Sequence, residues 1–144
     1  MISYFRLLIL FLVFVPAYST QTVQFNIRTP MDLKEEQQIF TENICKLLEF
    51  ITLKGYHATL GEAYRTHEQA LIYAHKGMGI VNSQHCERLA IDLNIFDQNE
   101  KRLVSVEDYK LFGDYWESLH IRNRWGGIFK HRPDANHFEM MDRD

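Results

Sequence analysis

Between Leu33 and Ile51 apolar residues return at helical spacing: Leu33, Ile39, Phe40, Ile44, Leu47, Leu48 and Ile51. The spacing predicts a long amphipathic helix running to about Lys54, with Thr29 as N-cap, Pro30 at the first helical position and Gly55 as the stop. Its apolar stripe is suited to covering a sheet, and Lys34, Glu35, Glu36 and Glu42 read as its solvated face. Tyr56 to Tyr64 reads as a strand ending at Arg65. Thr66, with Gln69 three residues on, opens a second helix from His67 to about Lys76, closed by Gly77-Met78-Gly79. From Leu89 the period changes to two, so that Leu89, Ile91, Leu93 and Ile95 point one way and Ala90, Asp92 and Asn94 the other. Asp97-Gln98-Asn99-Glu100 is a turn, and Ser105 with Asp108 caps a third helix from Val106 to about Ile121. Trp125-Gly126-Gly127 reads as a tight loop and Phe138 to Met140 as a short last strand. Strands and helices mix without a βαβ rhythm or a phosphate-binding glycine loop. The fold class expected is α+β, with a small antiparallel sheet and helices on one side.

The first stretch departs from this patterning. Arg6 precedes a short apolar run, Leu7 to Val15, which Pro16 breaks before Ala17-Tyr18-Ser19. This is the layout of an export signal with a cleavage site after Ser19, and the run is about half the roughly 20 residues a membrane span needs. The expected organisation is residues 1–19 as signal peptide, or as an uncleaved signal anchor, and residues 20–144 as a single domain that starts with a polar, β-leaning lead-in from Thr20 to Arg28. Such a domain works outside the cytoplasm, in the periplasm or beyond, or tethered at the membrane. The chain of 144 residues is 46% hydrophobic, enough for one domain with a real core. A net charge of −3 and the lack of a basic cluster argue against nucleic-acid binding. Cys45 and Cys86 form no CxxC, and sequence leaves open whether they pair or stay free. No feature calls for an obligate dimer, so a monomer is expected.

Two stretches carry chemistry. Asp92 sits on the polar face of an otherwise apolar strand, where a carboxylate has no packing role and a strand disfavours it. His85, on the polar loop just before, can fold back beside it. In Asp134-Ala135-Asn136-His137-Phe138-Glu139-Met140, His137 and Glu139 share one face while Phe138 and Met140 share the other. Two imidazoles and a carboxylate supply three metal ligands and leave a fourth position open, the ligand count of a catalytic zinc site. Asp134, three residues before His137, is placed to serve as general base. Arg65, at a strand end beside a capped helix, can stabilise a developing oxyanion or hold a substrate carboxylate. Trp125 and Tyr64 line either the cleft or the core, and Trp116, on a helix, reads as core. His57, His67, His75, His120 and His131 show no such arrangement and read as surface or supporting residues.

These residues also carry a resemblance. Ser83-x-His85-x-x-Arg88-x-Ala90-x-Asp92 is similar to the SxHxxGxAxD motif of the D-Ala-D-Ala carboxypeptidase (VanY-like) metallopeptidases, and Asp134-x-x-His137-Phe138-Glu139 to their second motif. The Asp form of that second motif, Trp125-Gly126-Gly127-x-Phe129 and Ala63-Tyr64-Arg65-Thr66 resemble the phage endolysin branch, which are L-alanyl-D-glutamate peptidases of peptidoglycan. The resemblance spans about Leu60 to Met140. It implies one zinc ion held by His85, Asp92 and His137, Asp134 as catalytic base, Arg65 near the substrate or oxyanion, and Ser83 in support; Glu139, on the His137 face, reads as a further substrate-binding or supporting residue. It implies the fold shared with the hedgehog signalling domain and a peptidoglycan stem peptide as substrate. The alternatives are a D-Ala-D-Ala carboxypeptidase or dipeptidase, and a non-catalytic wall-binding module that keeps the zinc fold. Two features depart from the family: Arg88 stands where the motif usually has glycine, which bears on the local loop conformation and not on the ligand spacing, and an export signal is unusual for an endolysin.

Overall fold

The computed structural model describes residues 31–141. The proposed signal, the lead-in, Thr29 and Pro30 lie outside them. The first described helix, α1 (Leu33–Leu53), begins after Asp32, whose side chain accepts from the Glu35 backbone N–H at 2.8 Å while Glu35 reaches back to the Asp32 N–H. This reciprocal capping box fixes the helix start. Gly55, at φ +81°, ends it in the left-handed conformation that glycine tolerates. The chain continues through β1 (His57–Leu60), α2 (His67–His75), β2 (Ala90–Phe96), α3 (Val106–Leu119), β3 (Asn123–Trp125), a 3-10 turn (Gly126–Ile128) and β4 (His137–Met140).

The four strands form one antiparallel sheet in the order β1-β2-β4-β3. This is the α+β architecture expected. The period-two pattern sets its two faces. Leu89, Ile91, Leu93 and Ile95, with Phe138 and Met140, are buried beneath Phe40, Ile44, Leu47 and Ile51 of α1 and Tyr109, Phe112 and Trp116 of α3. Polar anchors fix α3 on the sheet. The Tyr109 hydroxyl donates to Leu93 O and accepts from Ile95 N, and Trp116 Nε1 donates to both Arg124 O and Glu139 O. Asp92, His137 and Glu139 are left on the opposite, polar face.

Several expectations need correction. The cap of α1 is Asp32 rather than Thr29, so Leu33 and not Pro30 is its first helical residue, and the strand expected over Tyr56 to Tyr64 is limited to His57–Leu60. Glu36 is not on the solvated face of α1 but 2% exposed, paired with Arg122 at 2.6 Å. It lies four residues before Phe40, on the buried stripe. Trp125 is not part of a loop with Gly126-Gly127 but the last residue of the edge strand β3, Asn123–Trp125, and the turn is Gly126–Ile128. The cysteines are free thiols, Cys45 exposed and Cys86 buried. Among the described residues no helix is long and apolar enough to cross a membrane.

Candidate metal centre and cleft

Strand pairing builds the centre. Asp92 and His137 are register partners on β2 and β4, so their side chains stand side by side on the polar face, with His137 Nδ1 3.1 Å from Asp92 Oδ1. His85 arrives from the turn at 83–88. Its carbonyl accepts from Arg65 N and Arg88 N, and its Nε2 lies 3.4 Å from the same Asp92 oxygen. The donor atoms of His85, Asp92 and His137 all lie within 4.8 Å of one another. A tetrahedral ion with bonds of about 2.0–2.1 Å spaces its ligand atoms by roughly 3.3 Å. The observed separations of 3.1 and 3.4 Å from Asp92 Oδ1 therefore fit such an ion.

Electrostatics in the metal-free cluster follow from this packing. Burial disfavours the charged form of His137, but hydrogen bonds to Asp92 and Glu139 outweigh it and raise its pKa to about 9. Burial likewise pushes Asp92 up, while His137 and His85 more than reverse it and hold the carboxyl at about 2. Glu139 is buried, yet His137 and Arg124 keep its carboxyl below the ordinary range.

The centre opens on a cleft of about 710 Å³, bordered also by Arg65, Asp134, Arg132, Met78 and Ile80. Asp134 is held by its backbone. Its N–H donates to Gly126 O at 2.9 Å and its carbonyl accepts from His137 N at 3.2 Å. Gly126 leaves no room for a side chain there, since a Cβ would lie 2.4 Å from Asp134 O and 2.9 Å from the His137 Cβ. Arg65 is gripped rather than free. Its Nε and Nη2 donate to Glu62 at 2.9 and 2.6 Å, its Nη1 donates to Ser83 Oγ at 3.2 Å, and its guanidinium stacks over Tyr73. The Glu62 pairing raises the Arg65 pKa further.

The remaining singled-out residues separate. Ser83 is buried behind Arg65, and the ionised Glu139 accepts from His137 Nε2 at Oε2, at 2.9 Å. Trp125 resolves to the core: its ring lies against Gly113 and Gly127, and Nε1 donates to Ala135 O at 2.7 Å. Tyr64 is half-exposed and carries the Arg88 guanidinium at 4.2 Å from its ring centre. His131 borders the cleft. Sequence reasoning missed Glu62 and Arg124. Glu62, three residues before Arg65, was legible as a same-side partner; Arg124 required knowing β3.

The comparisons with known proteins bear on the family and the fold. Residues 76–140 match the family model described as D-alanyl-D-alanine carboxypeptidase. That span contains both motifs, Ser83 to Asp92 and Asp134 to Glu139. No curated protein matches the chain. Among solved structures, the L-Ala D-Glu endopeptidase ChiX of Serratia marcescens has the same fold, with a TM-score of 0.57 at 15% identity over 75% of this chain and 85% of that one.

Proposed function

We propose that the chain is a zinc-dependent peptidase that hydrolyses peptidoglycan stem peptides, cutting between L-Ala and D-Glu. One observation carries this reading: His85, Asp92 and His137 converge within 4.8 Å in the same cleft that Asp134 and Arg65 border. The family match supports a peptidase, and the similarly folded Serratia protein is an L-Ala D-Glu endopeptidase. His85, Asp92 and His137 hold the ion, which supplies Lewis-acid polarisation and a water of lowered pKa when bound. The Asp134 carboxylate takes a proton from the attacking water and returns it to the leaving amine. Arg65, kept straight by Glu62 and Ser83, offers fixed positive charge to the carbonyl oxygen as negative charge builds there. Lys130, His131 and Arg132 on the rim suit a substrate rich in carboxylates. We assign residues 1–19 to an export signal, which delivers the domain at 20–144 to the wall.

The family description favours a second reading, a D-Ala-D-Ala carboxypeptidase. Digestion of purified muropeptides with and without a chelator, read by mass spectrometry, decides. Chelator-sensitive release of peptides from L-Ala supports the endopeptidase, and loss of terminal D-Ala alone supports the carboxypeptidase. Wall binding without cleavage by the zinc-loaded protein overturns both in favour of a binding module.

A further inference from the structure

The polar face of the sheet carries one cation that the reaction above does not use. The register sets Arg124 of β3 opposite Glu139 of β4, as it sets Asp92 of β2 opposite His137. The side chains Arg124, Glu139, His137 and Asp92 therefore run across three strands with alternating charge. Glu139 is 5% exposed, and both its oxygens are committed. Oε1 accepts from Arg124 Nε at 2.7 Å and also from Nη2, while Oε2 meets His137 Nε2 at 2.9 Å. The same guanidinium lies 4.8 Å over the Phe129 ring, whose centre is 5.8 Å from that of His137.

A carboxylate gripped at one oxygen by a planar guanidinium fork cannot rotate its other oxygen away. An ionised carboxylate only accepts, so the His137 nitrogen facing it must carry a proton. In the neutral imidazole that a metal requires, this leaves Nδ1, the nitrogen beside Asp92, as the lone-pair donor. We propose that Arg124 is a positioning residue that acts through Glu139 to hold His137 with Nε2 protonated and Nδ1 ready to ligate the metal. The inference rests on the metal-site reading above. It concerns the side chain alone, since the Arg124 carbonyl that accepts from Trp116 survives any substitution. Without the fork, Glu139 faces His137 alone and its orientation is no longer fixed. Partners of this kind are commonly worth a factor of about 10–100 in metal affinity.

Competition against a chromophoric chelator measures zinc affinity for the wild-type chain, Arg124→Met, Arg124→Lys and Glu139→Gln. The Met variant keeps an apolar contact over Phe129 and should bind zinc about 10–100-fold more weakly. The Lys variant, with charge but no fork, should recover only part of this loss, and Glu139→Gln should match the Met variant. In the zinc-loaded wild type, NMR should show a slowly exchanging His137 Nε2 proton that becomes fast-exchanging in Arg124→Met. A purely structural role would instead lower the melting temperature of the metal-free protein and leave zinc affinity at the wild-type value, and that result overturns the proposal. Wild-type affinity in Arg124→Lys together with Glu139→Gln does the same should the Met variant fail to fold. A wild-type chain that binds no zinc overturns the metal-site reading itself.

Discussion

Arg88 holds a φ of 56° between the loop that carries His85 and the strand that carries Asp92. This left-handed conformation costs a side-chain-bearing residue roughly 1–2 kcal/mol, which explains why glycine suits the position. Here the guanidinium over Tyr64 offsets part of the cost, by about 0.5–1 kcal/mol for an exposed cation–π contact. The loop thus keeps the glycine conformation with an arginine in place. Arg88→Gly should therefore be more stable than Arg88→Ala by about 1 kcal/mol in denaturant melts, the reverse of the order at an ordinary surface site. Equal stability would mean that the backbone is not strained. Asp134 tests chemistry at the same scale. Asp134→Asn keeps the backbone bonds to Gly126 and His137 but cannot accept the proton, so turnover should fall by about 10²–10⁴-fold with one zinc still bound per chain. Unchanged turnover would remove Asp134 from the base role.

At the scale of elements, the 3-10 turn and α3 act through two glycines. Gly126 packs against Asp134 O and the His137 Cβ, so Gly126→Ala must push apart the base and a ligand. A displacement of about 1 Å can cost on the order of 10²-fold in rate, and the variant should lose kcat per folded molecule at that level. Gly113→Ala meets the buried Trp125 ring at 2.1 Å instead, and since neither residue borders the cleft it should lower stability by about 1–3 kcal/mol with kcat per folded molecule largely kept. Swapped outcomes would refute both assignments. These elements also show what the sequence could carry. The faces of β2 and β4 were legible because period two separates Asp92, His137 and Glu139 from the apolar residues between them. The caps of α2 and α3 were legible because Thr66, Ser105 and Asp108 sit at fixed offsets from their partners. Strand β3 was not, because Asn123-Arg124-Trp125 is too short to show a period and looks like the loop it leads into. Its hidden register also concealed the role of Arg124. Glu36 was misread because its partner, Arg122, lies 86 residues away, although its place on the stripe with Phe40 could have exposed it.

For the whole molecule, the centre links stability to pH in opposite directions with and without metal. In the metal-free protein the folded-state pKa of His137 is raised from 6.5 to about 9, so its contribution is fully present below pH 6.5 and is lost as pH rises through 9. Asp92 is depressed from 3.8 to about 2, so its contribution is present above pH 3.8 and is lost as pH falls through 2. The two together leave a plateau between roughly pH 4 and 6.5 for this cluster, with stability falling on either side. Zinc changes the alkaline limb. It requires His137 as a neutral ligand, so binding at pH 7.5 must expel the proton that Asp92 and Glu139 hold there. The melting-temperature gain from saturating zinc should grow steadily from pH 6.5 to 9, and titration calorimetry in buffers of different ionisation enthalpy should find close to one proton released per zinc at pH 7.5. His137→Asn should abolish that release and flatten the alkaline limb of the metal-free protein. A zinc-induced gain independent of pH over this window would show that His137 is already neutral, or that it is not a ligand. The two are told apart by whether His137→Asn still binds the ion with wild-type affinity.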